Sequence, residues 1–152
     1  MRKLGIYLVG RMTDLPDKGK SWREEYFKIL SKEIDDIEYI GPRNRCDDIS
    51  IVRQDIDFIK KSDVVIINAT IPFILGGPME ILLSKYFNKL TITLLDETNS
   101  INKCYENHPW LMAFSDFRVK SMDEVVDIIK TYKENPRTIK IKTWEKILYG
   151  KD

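Results

Sequence analysis

Short apolar runs alternate along this chain with stretches in which apolar residues recur every three or four positions. Leu4-Gly-Ile-Tyr-Leu-Val9 reads as a buried strand ending at Gly10. Ser21-Trp-Arg-Glu24 has the form of a capping box and opens a predicted helix reaching about residue 34. Ile37-Glu-Tyr-Ile40 is a short strand closed by Gly41-Pro42, and residues 50–61 form a second helix. Asp63-Val-Val-Ile-Ile-Asn-Ala69 predicts a third strand, Gly76-Gly77 a turn, and Pro78 the first residue of a helix running to about Phe87. Leu90 to Leu95 predicts a fourth strand, 96–113 a long loop containing His108-Pro-Trp, and Phe117 to Lys120 a fifth strand. A second capping box, Ser121-Met-Asp-Glu124, opens the last helix, which Asn135-Pro136 ends.

That order, β-α-β-α-β-α-β-β-α, predicts an α/β fold: a three-layer sandwich around a mostly parallel five-stranded sheet, Rossmann-like or flavodoxin-like. The fold is expected over residues 1–134, with 135–152 a C-terminal tail whose basic residues face solvent. With 152 residues, this is one domain with room for a core.

Composition narrows the function by exclusion. Twenty-five basic residues against 24 acidic ones give a formal net charge of +1, so no footprint for nucleic acid or a membrane surface is present. No run approaches the roughly 18 apolar residues of a membrane span. Cys46 and Cys104 are isolated, and His108 is the only histidine, so no metal site is expected. Two lone cysteines and no leader peptide predict a reducing, cytoplasmic setting. Gly19-Lys20-Ser21 ends like a P-loop, but the first glycine of that motif would fall on Asp14, and no GxGxxG follows the first strand. No NTPase, dinucleotide enzyme or organic cofactor is supported.

Candidate chemistry lies elsewhere. Glu80 is the only charge between Thr70 and Ser84, and a carboxylate is costly to desolvate unless it is paired, hydrogen-bonded or used. With Pro78 at the first helical position, Glu80 falls at the third, where it is either a cap or a catalytic group at the carboxyl ends of the strands. On the second predicted helix, steps of about 100° per residue place Asp55 inside the apolar stripe of Val52, Ile56 and Ile59, and Asp57 on the solvent side. Asp55 is therefore either a structural acid, capping a loop or pairing with Arg43 or Arg45, or a functional one. Two carboxylates flanking one strand suit glycosidic chemistry, and Tyr7, near the end of the first strand, adds a hydroxyl or simply packs in the core.

Tyr7-Leu-Val-Gly10, Gln54-Asp55 through Asp63-Val-Val, and Gly76-Gly-Pro-Met-Glu80-Ile together resemble the nucleoside 2-deoxyribosyltransferase family, whose superfamily includes the deoxynucleoside 5′-monophosphate N-glycosidases. The resemblance covers roughly residues 4–130. It implies that Glu80 attacks the anomeric carbon of a 2-deoxyribosyl group to form a covalent ester, that Asp55 holds the sugar or assists the departing base, and that Tyr7 positions Glu80. It implies substrate contacts at Gly10, Gly76 and Gly77. Arg11, Arg43 and Arg45 are candidates for a 5′-phosphate. The substrate is then a nucleoside or nucleotide, and the assembly a homo-oligomer for which Trp110, Phe114 and Phe117 are candidate interface residues. Transfer of deoxyribose to another base is the first expectation, hydrolysis of a 2′-deoxynucleoside 5′-monophosphate the alternative, and a non-catalytic nucleotide sensor the second alternative. Ile74 takes the place of the acid in the Asp-x-Gly-Thr-x-x-Glu motif of many transferases.

Overall fold

The computed structural model describes residues 2–12, 15–43, 49–96 and 103–150. Its elements are β1 (Leu4–Val9), α1 (Lys20–Glu33), β2 (Ile37–Gly41), α2 (Ser50–Lys61), β3 (Val64–Asn68), α3 (Gly76–Tyr86), β4 (Leu90–Leu94), α4 (Lys103–Glu106), α5 (Pro109–Phe114), β5 (Phe117–Val119), α6 (Met122–Glu134) and α7 (Trp144–Tyr149). The strands form one sheet in the order β2-β1-β3-β4-β5, and every pairing is parallel. The expected α/β sandwich is present, with a wholly parallel sheet where a mostly parallel one was expected.

The period-two alternation of the central strands sorts side chains onto two faces. Ile6, Leu8, Val64 and Ile66 pack with Leu30 of α1 and with Val125, Val126 and Ile129 of α6. Tyr7, Val9, Val65 and Ile67 pack on the other face with Ile59 of α2, Ile81 of α3, and Leu111 and Phe114 of α5. Each of these strand residues is fully buried, so their continuous apolar runs are what a strand covered on both faces requires.

Two helix starts differ from expectation, for local reasons. α1 begins at Lys20, and its first turn is capped by the Asp17 carboxylate, which accepts from Gly19 N at 3.0 Å and Ser21 N at 2.9 Å, in place of a Ser21–Glu24 box. These hydrogen bonds, from Ser21 foremost, hold the Asp17 carboxyl below the usual range. α3 begins at Gly76, so Gly76 and Gly77 form its first turn and Pro78 its third residue, where a missing N–H costs nothing. The second capping box, Ser121 with Glu124, is formed.

Residues expected as loop and tail are also structured. Pro109–Phe114 is helical, with His108 as its N-cap. The basic segment wraps the β5 edge. Ile139 and Ile141 pack on the α1/α6 cluster, while Trp144 and Ile147 pack on the opposite one. Lys142 Nζ donates to the carbonyls of Met112 (2.9 Å) and Ser115 (3.0 Å) at the end of α5. Apolar residues interleaved with the lysines supply this docking, which charge alone did not suggest.

Beneath that strap lies a buried ion pair. Lys85 Nζ donates to Asp116 Oδ2 at 2.7 Å and to Lys89 O at 2.9 Å, and neither side chain of the pair is exposed. Asp116 also accepts from Thr91 N at 2.8 Å and Lys142 N at 2.7 Å, linking α3, β4, β5 and the strap. Burial lowers the Lys85 pKa from its usual value, and Asp116 opposes that shift. Removing one partner leaves a buried charge uncompensated. Lys85→Met is expected to lower the unfolding free energy by about 3–5 kcal/mol in urea titrations, and Lys85→Met/Asp116→Asn by less than that single change.

Candidate active site

In an open parallel sheet, the crevice for ligands opens where successive crossovers leave in opposite directions. Here that point lies between β1, whose chain continues outward to β2, and β3, whose chain continues toward β4. Tyr7 stands near the carboxyl end of β1, opposite Val65 of β3, and is fully buried. Its ring lies against Gly41, where a Cβ would come within 3.1 Å of Tyr7 Cε2 and 2.9 Å of Phe58 Cδ2. Gly41 thus leaves the space that the phenol ring occupies.

α3 follows β3 and delivers Glu80 to the same place. Tyr7 Oη donates to Glu80 Oε1 at 2.6 Å, a length typical of a charge-assisted O–H···O bond. Burial raises the Tyr7 pKa far above its ordinary value. The negative charge of Glu80 and then that of Asp55 add to the shift, while Arg23 opposes it. The phenol therefore stays protonated at physiological pH and remains a donor. Glu80 is the fifth residue of α3, two later than expected, so its carboxyl turns toward β1 instead of capping the helix start.

The second carboxylate belongs to the same neighbourhood. Asp55 is half-buried with Oδ1 fully enclosed, whereas Asp57 is exposed and pairs with Lys61 at 2.7 Å, as the helical periodicity predicts. Its charge acts on Tyr7 and also on Tyr39 of β2. The Tyr39 pKa is pushed up to about 12, chiefly by burial; Arg23 and Arg43 oppose the shift, and Asp55 and Glu80 add to it. Tyr39 Oη donates to Pro42 O, and Arg43 donates from Nε to Ile40 O at 2.9 Å and from Nη2 to Tyr39 O. Side chains from β1, α1, β2, α2 and α3 thus share one electrostatic environment at the ends of the strands. Beside it opens a cleft of about 740 Å³, lined by Met12, Lys18, Arg23, Phe27, Tyr39 and Arg43. A groove of about 520 Å³ lies on the opposite flank of α3 from Glu80, between that helix and α5.

The remaining sequence candidates divide. Gly10 ends β1 under Trp22, where a Cβ would lie 2.6 Å from the ring, so only glycine fits. Arg11 is half-buried, and its carbonyl accepts from Trp22 Nε1 at 3.1 Å. Arg43 is exposed at the cleft. Gly76 has open space where a Cβ would stand, and Gly77 meets only Phe73 at 3.3 Å; neither has the left-handed backbone of a glycine turn. Arg45 and Cys46 lie outside the described residues, and Cys104 is exposed. Among the described residues, no group of three or more His, Cys, Asp or Glu side chains is placed to hold a metal. None of their helices is long and apolar enough to cross a membrane. Sequence reading missed Arg23, Tyr39 and Gly41. Arg23 had a signal: it continues the inward stripe of Phe27, Leu30 and Ile34 at 4-3-4 spacing.

The raised Tyr7 pKa has a consequence for stability. Above about pH 10 the unfolded chain releases a phenolic proton that the folded chain keeps, so stability falls as pH rises. Between pH 10 and 11 the unfolding free energy of the wild type is expected to fall about 1 kcal/mol per pH unit more steeply than that of Tyr7→Phe, measured by urea titration.

No family model matches the sequence, and no curated protein matches it either. Among solved structures, that of the Clostridium botulinum CMP N-glycosidase BcmB is similar in fold, with a TM-score of 0.51 over 83% of this chain and 98% of that one, at 17% sequence identity.

Proposed function

We propose that this protein cleaves the N-glycosidic bond of 2′-deoxynucleosides through a covalent Glu80 ester and transfers the deoxyribosyl group to another base. The observation that carries this reading is the 2.6 Å bond from Tyr7 Oη to Glu80 Oε1 at the switch point of the sheet, with Asp55 close enough to act on the same phenol. The Tyr7 donor on Oε1 orients the carboxylate, and in this reading its other oxygen is the attacking atom. In the first half-reaction that oxygen bonds to C1′, the C1′–N bond breaks, and its electron pair leaves with the base. Asp55 orients the sugar hydroxyls or handles the proton that the departing base takes up. In the second, a nitrogen of the incoming base attacks C1′, loses its proton, and releases the Glu80 carboxylate. No metal or organic cofactor is called for.

Hydrolysis of a nucleoside 5′-monophosphate is the second reading, favoured by a fold neighbour named for its action on CMP. Water then replaces the incoming base, and the cationic rim containing Arg43 faces the phosphate.

The assembly we propose is a homo-oligomer closed through α3. Leu75, Met79, Leu82 and Tyr86 form an exposed stripe at 4-3-4 spacing, and Leu75 is 72% exposed. The charged residues of α3 are Glu80, which bonds to Tyr7, and Lys85, which is buried. Every exposed large apolar side chain of the described residues, Trp110 included, lies on or beside α2, α3, α5 or α7, and none on α1 or α6. A charge-free stripe is self-complementary about a two-fold axis, so a second copy fits it. Of the residues expected there, Trp110 is exposed, Phe114 is buried and Phe117 packs against the opposite cluster.

Base release from deoxynucleosides and their 5′-monophosphates, followed chromatographically with and without a second free base, tests the chemistry. Release that requires the second base is expected; release in water alone moves the assignment to hydrolysis, and no release from any substrate contradicts both. Glu80→Ala is expected to lower kcat about 10⁴-fold, and Tyr7→Phe about 10²-fold with little change in KM. In light-scattering chromatography, Met79→Lys/Leu82→Glu is expected to halve the mass or reduce it further, whereas a wild-type monomer contradicts the interface.

A further inference from the structure

Arg23 is the one arginine buried among the described residues, at 4% exposure, and its guanidinium donates to three backbone carbonyls. Nη2 donates to Gly10 O at 2.9 Å, Nη1 to Gly19 O at 3.2 Å, and Nε to Leu8 O at 3.4 Å. The group stacks on Trp22, 4.1 Å from the ring centroid, and Trp22 Nε1 in turn holds Arg11 O. Two glycines make room for this clamp. A Cβ at Gly19, whose φ is +78°, would lie 2.3 Å from Nη1, and one at Gly10 would strike Trp22. The first turn of α1 therefore grips the backbone of residues 8–11, immediately after Tyr7. Tyr7 reaches Glu80 from the strand position just before the segment that the clamp holds.

We infer that Arg23 is a positioning residue of this site, fixing the carboxyl end of β1 so that Tyr7 aims its hydroxyl at Glu80, and placing the buried cation that balances Glu80 and Asp55. The inference rests on Glu80 being the nucleophile. Geometry gives the first role: strand, clamp and donor are consecutive, and displacing a catalytic group by about 1 Å can cost 10²-fold in rate. Electrostatics gives the second. Arg23 lowers the pKa of both Tyr7 and Tyr39, which Glu80 and Asp55 raise, so its buried charge opposes that of the two carboxylates at both phenols. The other charged groups that act on both phenols are Asp55 from α2 and Glu80 from α3, with Arg43 after β2 acting on Tyr39, while Asp17, Lys18, Lys20, Glu24 and Lys28 line the open cleft beside Arg23. Arg43 is exposed and screened by solvent, so Arg23 supplies the unscreened positive charge.

Two variants separate the roles. Arg23→Lys keeps the charge but cannot span three carbonyls; kcat is expected to fall about 10- to 100-fold, with KM and the acid limb of the pH profile unchanged. Arg23→Gln removes the charge, and the acid limb of kcat/KM is expected to move about one pH unit upward. A second arm needs no turnover. In ¹³C-carboxyl NMR, the resonance lost in Glu80→Gln is expected to titrate at higher pH in Arg23→Gln than in Arg23→Lys. Folded variants, checked by circular dichroism, with wild-type kcat and an unmoved Glu80 titration overturn the inference. Glu80→Ala retaining activity, or a wild type that releases no base, instead overturns the reading of Glu80 while leaving the NMR result standing.

Discussion

A carboxyl group held against a buried phenol at the switch point of a parallel sheet is the constraint around which the rest of this molecule is arranged. Tyr7 has no exposure and a strongly raised pKa, so it acts only as a donor, and Glu80 is its acceptor at 2.6 Å. Holding that pair asks something of each surrounding element. β2 ends in a glycine that leaves room for the ring. α2 turns Asp55 inward, α3 starts early enough to aim Glu80 back at β1, and α1 inserts a guanidinium that ties down the strand end.

The architecture was legible because its signals are redundant. The two-sided burial of β1 and β3 shows as nearly unbroken apolar runs, and the intervening amphipathic segments leave only a parallel sheet. Asp55 and Asp57 were told apart by phase alone, and the structure agrees on both. Where reading fell short, a second residue competed for the role that the pattern suggested. Asp17 caps α1 although Ser21 and Glu24 have the spacing of a box, because a carboxylate reaches two N–H groups at once. Gly76-Gly77 reads as a turn, yet takes the helical backbone that its open surroundings allow. Arg23 was passed over since a charge in an apolar stripe has value only once three carbonyls converge on it. The stripe position is the one local mark, and the convergence of carbonyls that gives it meaning is tertiary.

The two sides of the sheet do different work. The α1/α6 side has no exposed large apolar side chain among the described residues, and the buried guanidinium of α1 grips β1 from behind. The α2/α3/α5 side carries the carboxylates and all the exposed large apolar side chains of the described residues, so the helix that presents Glu80 inward presents an uncharged stripe outward. Packing a second copy against that stripe would stiffen α3 and, through it, the Tyr7–Glu80 bond. Stability, by contrast, is secured away from the site, where Lys85, Asp116 and the C-terminal strap lock β4 and β5 together.

The proposed chemistry depends first on which carboxylate takes the sugar. Rapid quenching of the enzyme with a deoxynucleoside, followed by peptide mass spectrometry, measures this directly. A deoxyribosyl adduct on the peptide containing Glu80, lost in Glu80→Ala, is the result expected. An adduct on Asp55, or base release that proceeds undiminished in Glu80→Ala, would contradict it.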